Sequence, residues 1–171
     1  MKTKKKFHDP YAEILGKFNH GGIKYVVIGM SGINYYALKA QETFATQDFD
    51  IFVNPTIDNV KKCITIFRNL NYSLTANNQN LNDSSIKDIV RNKKTILAVD
   101  TYGITFELIL AVSGYTFSQM EKDAAIFAVE NISIKVGKLN KLLLSKKIAG
   151  REKDKLFLKR FEALLREKDN K

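Results

Sequence analysis

Two carboxylates separated by a single residue, Asp48 and Asp50, open the run Asp48-Phe49-Asp50-Ile51-Phe52-Val53. The run reads as a strand, and a strand's two-residue period turns both aspartates to one face. Like charges that close repel, and burying them unpaired is costly, so a bound cation is a natural reason to keep both. Oxygen-only ligands suit Mg2+ (or Mn2+), which takes a few carboxylates together with substrate phosphates and water. Upstream, the apolar run Tyr25-Val26-Val27-Ile28 gives way to Gly29-Met30-Ser31-Gly32. A glycine turn that closes a strand and opens a helix exposes backbone N–H groups and a positive helix end, both suited to a triphosphate. Ser31 adds a hydroxyl donor there. Each half alone has a plainer reading: two solvated aspartates on an exposed strand, and close packing of a strand on the helix that follows. Their order, spacing and apolar flanks together favour the chemical one.

The elements around these residues follow from pattern. Asp9 caps a helix with Pro10 at its first position and apolar Tyr11, Ile14, Leu15 and Phe18 on one side, stopped at Gly21-Gly22. Lys24 to Ile28 is a buried strand, Ser31 to Lys39 a helix, and Asp48 to Val53 the metal-face strand. Thr56 caps a helix that runs to about Leu70 with Ile57, Val60, Ile64 and Phe67 inward. Asn71 to Asp83 is polar and reads as a loop or weak strand, and Ser84 to Asn92 as a short helix. Lys94–Val99 and Ile104–Leu110 read as two strands of a hairpin turning at Tyr102-Gly103. Short strands at Ile126–Val129 and Ile132–Val136 flank Glu130-Asn131. Two leucine-rich helices end the chain. This order predicts an α/β (α+β) fold, a mixed sheet flanked by helices, with a core over 1–136 and a C-terminal helical annex over 137–171 packed on one edge as part of a single unit.

With these residues in place, the chain resembles the nucleotidyltransferase superfamily, the polymerase-beta-like fold, whose signature is a glycine turn, a helix and an Asp-x-Asp strand, with a third carboxylate on a later strand. More narrowly it resembles minimal nucleotidyltransferases of the abortive-infection and toxin–antitoxin type, over most of Tyr25 to Leu165. The resemblance makes Glu107, in Ile104-Thr105-Phe106-Glu107-Leu108-Ile109, the third carboxylate. A lone charge in that apolar strand also calls for a reason of its own, which metal ligation or general-base work supplies. It further implies that Lys146, Arg151 and Asp154 belong to the nucleotide site, alongside Gly29, Ser31 and Gly32. Lys146 would neutralise triphosphate charge, Arg151 contact phosphate, and Asp154 orient one of them. The expected activity is metal-dependent transfer of a nucleoside monophosphate from an NTP, ATP for example, to an acceptor hydroxyl, with RNA as one acceptor and a cognate antitoxin as one partner. Phe44 stands where many relatives carry Arg. This motivates the alternative of a catalytically degenerate protein of the same fold that binds nucleotide or RNA as a regulator or partner.

Charge agrees with an anionic partner. The formal net charge is +10, and from Lys135 onward thirteen lysines and arginines face five acids. Such an excess attracts nucleotides, nucleic acid or anionic lipid without choosing among them. Lysine-rich composition alone also produces it, and the run Lys4–Lys6 reads as a solvated tail. Lys146 and Arg151 lie about 140° apart around one continuous helix, so a break at Gly150 is expected to bring Lys146 to the pocket, with Lys153, Lys155, Lys159 and Arg160 left outside. No apolar run approaches the length of a membrane span, and the single Cys63 excludes an internal disulfide. Both point to a cytoplasmic protein without membrane contact, in which Cys63 is a packed helical residue.

Overall fold

The computed structural model describes residues 9–38, 44 and 46–170. The basic run Lys4–Lys6 and the end of the predicted second helix at Lys39 lie outside the described residues. Helix α1 (Pro10–His20) starts as its sequence requires, with the Asp9 carboxylate accepting hydrogen bonds from the backbone of Tyr11 and Ala12. Strand β1 (Tyr25–Val27) leads into α2 (Gly29–Leu38), then β2 (Asp48–Val53) and α3 (Ile57–Asn69), the last capped by Thr56. Strands β3 (Ser73–Ala76) and β4 (Gln79–Asn80) follow, then a 3-10 turn at Asp83–Ser85 and α4 (Ile86–Arg91). Next come β5 (Ile96–Val99), β6 (Thr105–Ile109), α5 (Phe117–Glu121), β7 (Ala125–Val129) and β8 (Ile132–Val136). Helices α6 (Leu139–Ala149) and α7 (Glu152–Asp169) close the chain.

The eight strands form one mixed sheet in the order β4-β3-β5-β6-β2-β1-β8-β7. Its centre is the parallel pair β2–β6, with β1 antiparallel to β2 on the other side. Residues abreast in this pair share a face. Phe49 with Phe106 and Ile51 with Leu108 point one way, all buried, where Tyr11 of α1 stacks on Phe49 at 4.6 Å and Phe67 of α3 meets Phe106 at 5.3 Å. Asp48, Asp50, Phe52 and Glu107 point the other way, towards α2, α5 and the C-terminal helices. Phe52 packs edge-on against Phe117 of α5 there.

Three features refine or add to the sequence expectations. The polar stretch after α3, open between loop and weak strand in the sequence, is a strand pair, since β3 takes a full register against β5 and turns into β4 through Asn77 and Asn78, both at positive φ. Asparagine tolerates that conformation better than most residues, and it is what a tight hairpin demands. Helix α5 lies where no element is expected, although Thr116 and Gln119 form a reciprocal capping box at its start. The last two helices pack on α2, and Leu139, Leu142, Leu143, Phe157 and Leu165 join the same buried cluster as the central strands. Among the described residues no helix is long and apolar enough to cross a membrane.

Candidate functional site

The parallel register places Asp50 directly abreast of Glu107, and Asp48 abreast of Thr105. Asp50 and Glu107 therefore project side by side from adjacent strands into one space. Burial above all, then the neighbouring charge of Glu107, a hydrogen bond shared with it and the charge of Asp48, pushes the Asp50 carboxyl up to about 7. The Lys146 ammonium pulls it partly back. A carboxyl in that condition is protonated part of the time unless a cation arrives to hold it ionised.

The first residue of α2 leaves room for this carboxylate. Gly29 sits at φ +61°, and a Cβ there would collide with the Asp50 carboxylate, so the position excludes a side chain both by conformation and by space. Gly32 has a different task. A Cβ at that position would lie 3.0 Å from the Val27 carbonyl and from Leu142 of α6, so its bareness serves packing of α2 between strand and helix. Ser31, expected to offer a hydroxyl to phosphate, instead spends it on the sheet. The hydroxyl donates to the Asp48 carbonyl at 3.2 Å and accepts from the Asp50 N–H at 3.0 Å, and the side chain is buried. Ser31 thus fixes the two aspartates' backbone, and its sequence-assigned role as a phosphate donor finds no free proton here.

Across the space stands the corner between α6 and α7. Gly150 ends α6 in the left-handed region at φ 63°, its N–H donating to the Lys146 carbonyl, and Arg151 begins the turn into α7. The anticipated break is present. Asp154, 1% exposed, accepts from Arg151 Nε at 2.6 Å, from a terminal Arg151 nitrogen at 3.2 Å and from Lys146 Nζ at 3.2 Å. Burial alone would raise the Asp154 carboxyl, but the hydrogen bonds from Arg151 and Lys146 outweigh it and hold the carboxyl below its ordinary value. The Lys146 ammonium also lies 5.4 Å from the centre of the Phe157 ring. Phe44 explains itself here. Its ring meets Phe157 at 5.0 Å and Phe161 at 4.6 Å, while Asn34 hydrogen-bonds both its N–H and its carbonyl. It anchors the approach to β2 onto α7.

Between these two flanks runs a cleft with two lobes that share Gly29, Asp50, Glu107, Lys146 and Arg151. One lobe, about 440 Å³, is polar and takes in Thr46, Gln47, Asp48, Lys153 and Asp154. The other, about 430 Å³, is walled by Ile28, Ile109, Val112, Met120 and Leu142. Eight of the nine residues singled out from sequence line one lobe or the other or brace it directly, and Gly32 supports it from behind. Sequence reasoning missed the second lobe, because the 111–116 stretch carries no charged or periodic signal. It also left Lys153 outside, whereas that side chain borders the polar lobe; Lys155, Lys159 and Arg160 are exposed, as expected.

The donor set is all oxygen, and Asp50 and Glu107 lie so close that both can ionise only at a cost a bound cation would relieve, which fits a hard divalent ion such as Mg2+. Among the described residues no three His, Cys, Asp or Glu side chains stand at metal-binding spacing, so the fit rests on the Asp50–Glu107 pair with Asp48 beside it. Cys63 takes no part. It is buried on α3, and that burial pushes its thiol up to about 12, far from a nucleophile's range. No protein-family model matches the chain, and no curated protein matches it.

Proposed function

We propose that this protein is a nucleotidyltransferase that moves a nucleoside monophosphate from an NTP to an acceptor hydroxyl. One observation carries the reading: Asp50 and Glu107 abreast on parallel strands beside Gly29, faced across the cleft by Lys146 and Arg151. Asp50 and Glu107, with Asp48 beside them, would hold Mg2+, which supplies charge neutralisation at the triphosphate when bound. Lys146 and Arg151, held by Asp154, would take the charge of the β- and γ-phosphates as it grows on the leaving pyrophosphate. The acceptor oxygen attacks the α-phosphorus and the bond to the bridging oxygen breaks. Glu107, which lines the cleft, would receive the acceptor's proton. An RNA end is the acceptor to test first, because the exposed Lys155, Lys159 and Arg160 run along α7 away from the cleft. A reducing, cytoplasmic setting belongs to the same proposal and is supported by the lone buried thiol.

The test is incubation with each α-labelled triphosphate and total RNA, with and without Mg2+. The expected result is label transferred to an acceptor with release of pyrophosphate, reduced about a thousandfold or more in Asp50→Asn. Triphosphate binding without transfer to RNA, protein or small-molecule hydroxyls would favour the alternative, a nucleotide-binding regulator on the same fold.

A further inference from the structure

The cleft is larger than a triphosphate needs, and its two lobes differ in chemistry. The polar lobe gathers Lys146, Arg151 and Lys153, the side chains a polyphosphate would seek. The second lobe lies between the 110–116 loop and α6. At about 430 Å³ it is within the range of small-molecule sites, and its walls are Ile28, Ile109, Val112, Met120 and Leu142. Two hydroxyls interrupt that apolar lining, Ser113 from the loop and Ser145 from α6. Neither makes a side-chain hydrogen bond within the described residues. The loop is held to α6 at Gly114, where a Cβ would collide with the end of the Ile148 side chain, and Val112 bridges back to Tyr115.

We propose that this lobe is the nucleoside subsite of the donor triphosphate, with Ser113 and Ser145 reading the edge of the base. The inference rests on the transferase reading above. A nucleobase has two apolar faces and a hydrogen-bonding rim, and it calls for flat aliphatic walls with a few uncommitted polar groups. The lobe supplies both. The shared residues Asp50 and Glu107 then fall where nucleoside and polyphosphate join, at the α-phosphate. A polyanionic acceptor strand would find no cation in this lobe beyond Lys146 and Arg151 at its mouth, and those face the polyphosphate.

Ala111 and Ala149 line the lobe and are exposed, so a larger side chain at either fills the space without disturbing the core. The experiment compares calorimetric binding of ATP, GTP, CTP, UTP and inorganic tripolyphosphate, all with Mg2+, to wild type, Ala111→Trp, Ala149→Trp, Ser113→Ala and Ser145→Ala. Wild type is expected to bind at least one NTP about tenfold or more tighter than tripolyphosphate. Each Trp variant, with an unchanged melting temperature, should lose that advantage while keeping its tripolyphosphate affinity. The serine variants should narrow the spread among the four nucleotides. If tripolyphosphate binds wild type as tightly as every NTP, or both Trp variants keep full NTP preference, the subsite is wrong and the transferase reading stands. If neither NTP nor tripolyphosphate binds, both fall together.

Discussion

The two flanks of the cleft solve opposite problems with the same kinds of side chain. On the α6–α7 corner opposite charges meet: Asp154 is buried with Arg151 and Lys146 around it, and its carboxyl is held below the ordinary range. On the sheet flank Asp50 lies beside Glu107 and near Asp48, and its carboxyl is pushed up to about 7. The corner is electrostatically compensated, whereas the sheet flank is stable only against its own charge. Their pH responses have opposite signs. Asp154 contributes stability above the ordinary carboxyl pKa and loses it as pH falls through its lowered value. Asp50 favours the fold while protonated and ceases to do so as pH rises through about 7. The corner that keeps the fold together is compensated, and the flank proposed to hold a cation is not.

The sharpest way to break this contrast is Asp154→Ala. It strands the Lys146 ammonium, whose side chain is 11% exposed, and should cost about 3–5 kcal/mol in urea unfolding. A loss no larger than an exposed ion pair's, about 1 kcal/mol or less, would mean the corner is not a buried network. Asp50→Asn should do the reverse. In chelator, the variant should gain on wild type as pH rises from the ordinary 3.8 towards 7, by up to about 1.4 kcal/mol per pH unit, and then stay level. Parallel stability curves for the two proteins would contradict a strained carboxyl. A smaller effect is expected of Gly29→Ala, about 1–2 kcal/mol from the positive φ, together with a displaced Asp50 and loss of transfer. Gly103, also at positive φ but with nothing near its Cβ position, is the control: Gly103→Ala should cost stability while leaving transfer intact.

Much of the sheet flank is legible in the residues themselves. Alternation in Asp48–Val53 puts both aspartates on one face, and a lone Glu107 stands out in an apolar strand. The pairing of Asp50 with Glu107 is not legible, because register between strands far apart in sequence depends on the whole sheet. The break at Gly150 can be read from one glycine between two helical patterns. Ser31 misleads, since a serine after a glycine turn serves equally as a phosphate donor or as a clasp on the neighbouring strand, and only the fold decides which. Strand β3 is hard to tell from a loop because only Leu74 of its four residues is buried, and α5 is hidden by its five-residue length, too short for periodicity to register. The capping residues Thr116 and Gln119 are the available signal.

The most direct measurement is thermal unfolding of wild type and Asp50→Asn at neutral pH in chelator, then with saturating Mg2+ or Mn2+. In chelator Asp50→Asn should melt at or above wild type. A cation bound by the folded site alone contributes about 2.7 kcal/mol at a hundred times its dissociation constant, which for a chain of this size is a rise of roughly 5–11 °C. That rise is expected in wild type, with little or none in the variant. Equal shifts in both proteins, or no shift in either, would contradict the claim that the Asp50–Glu107 pair is kept for a cation.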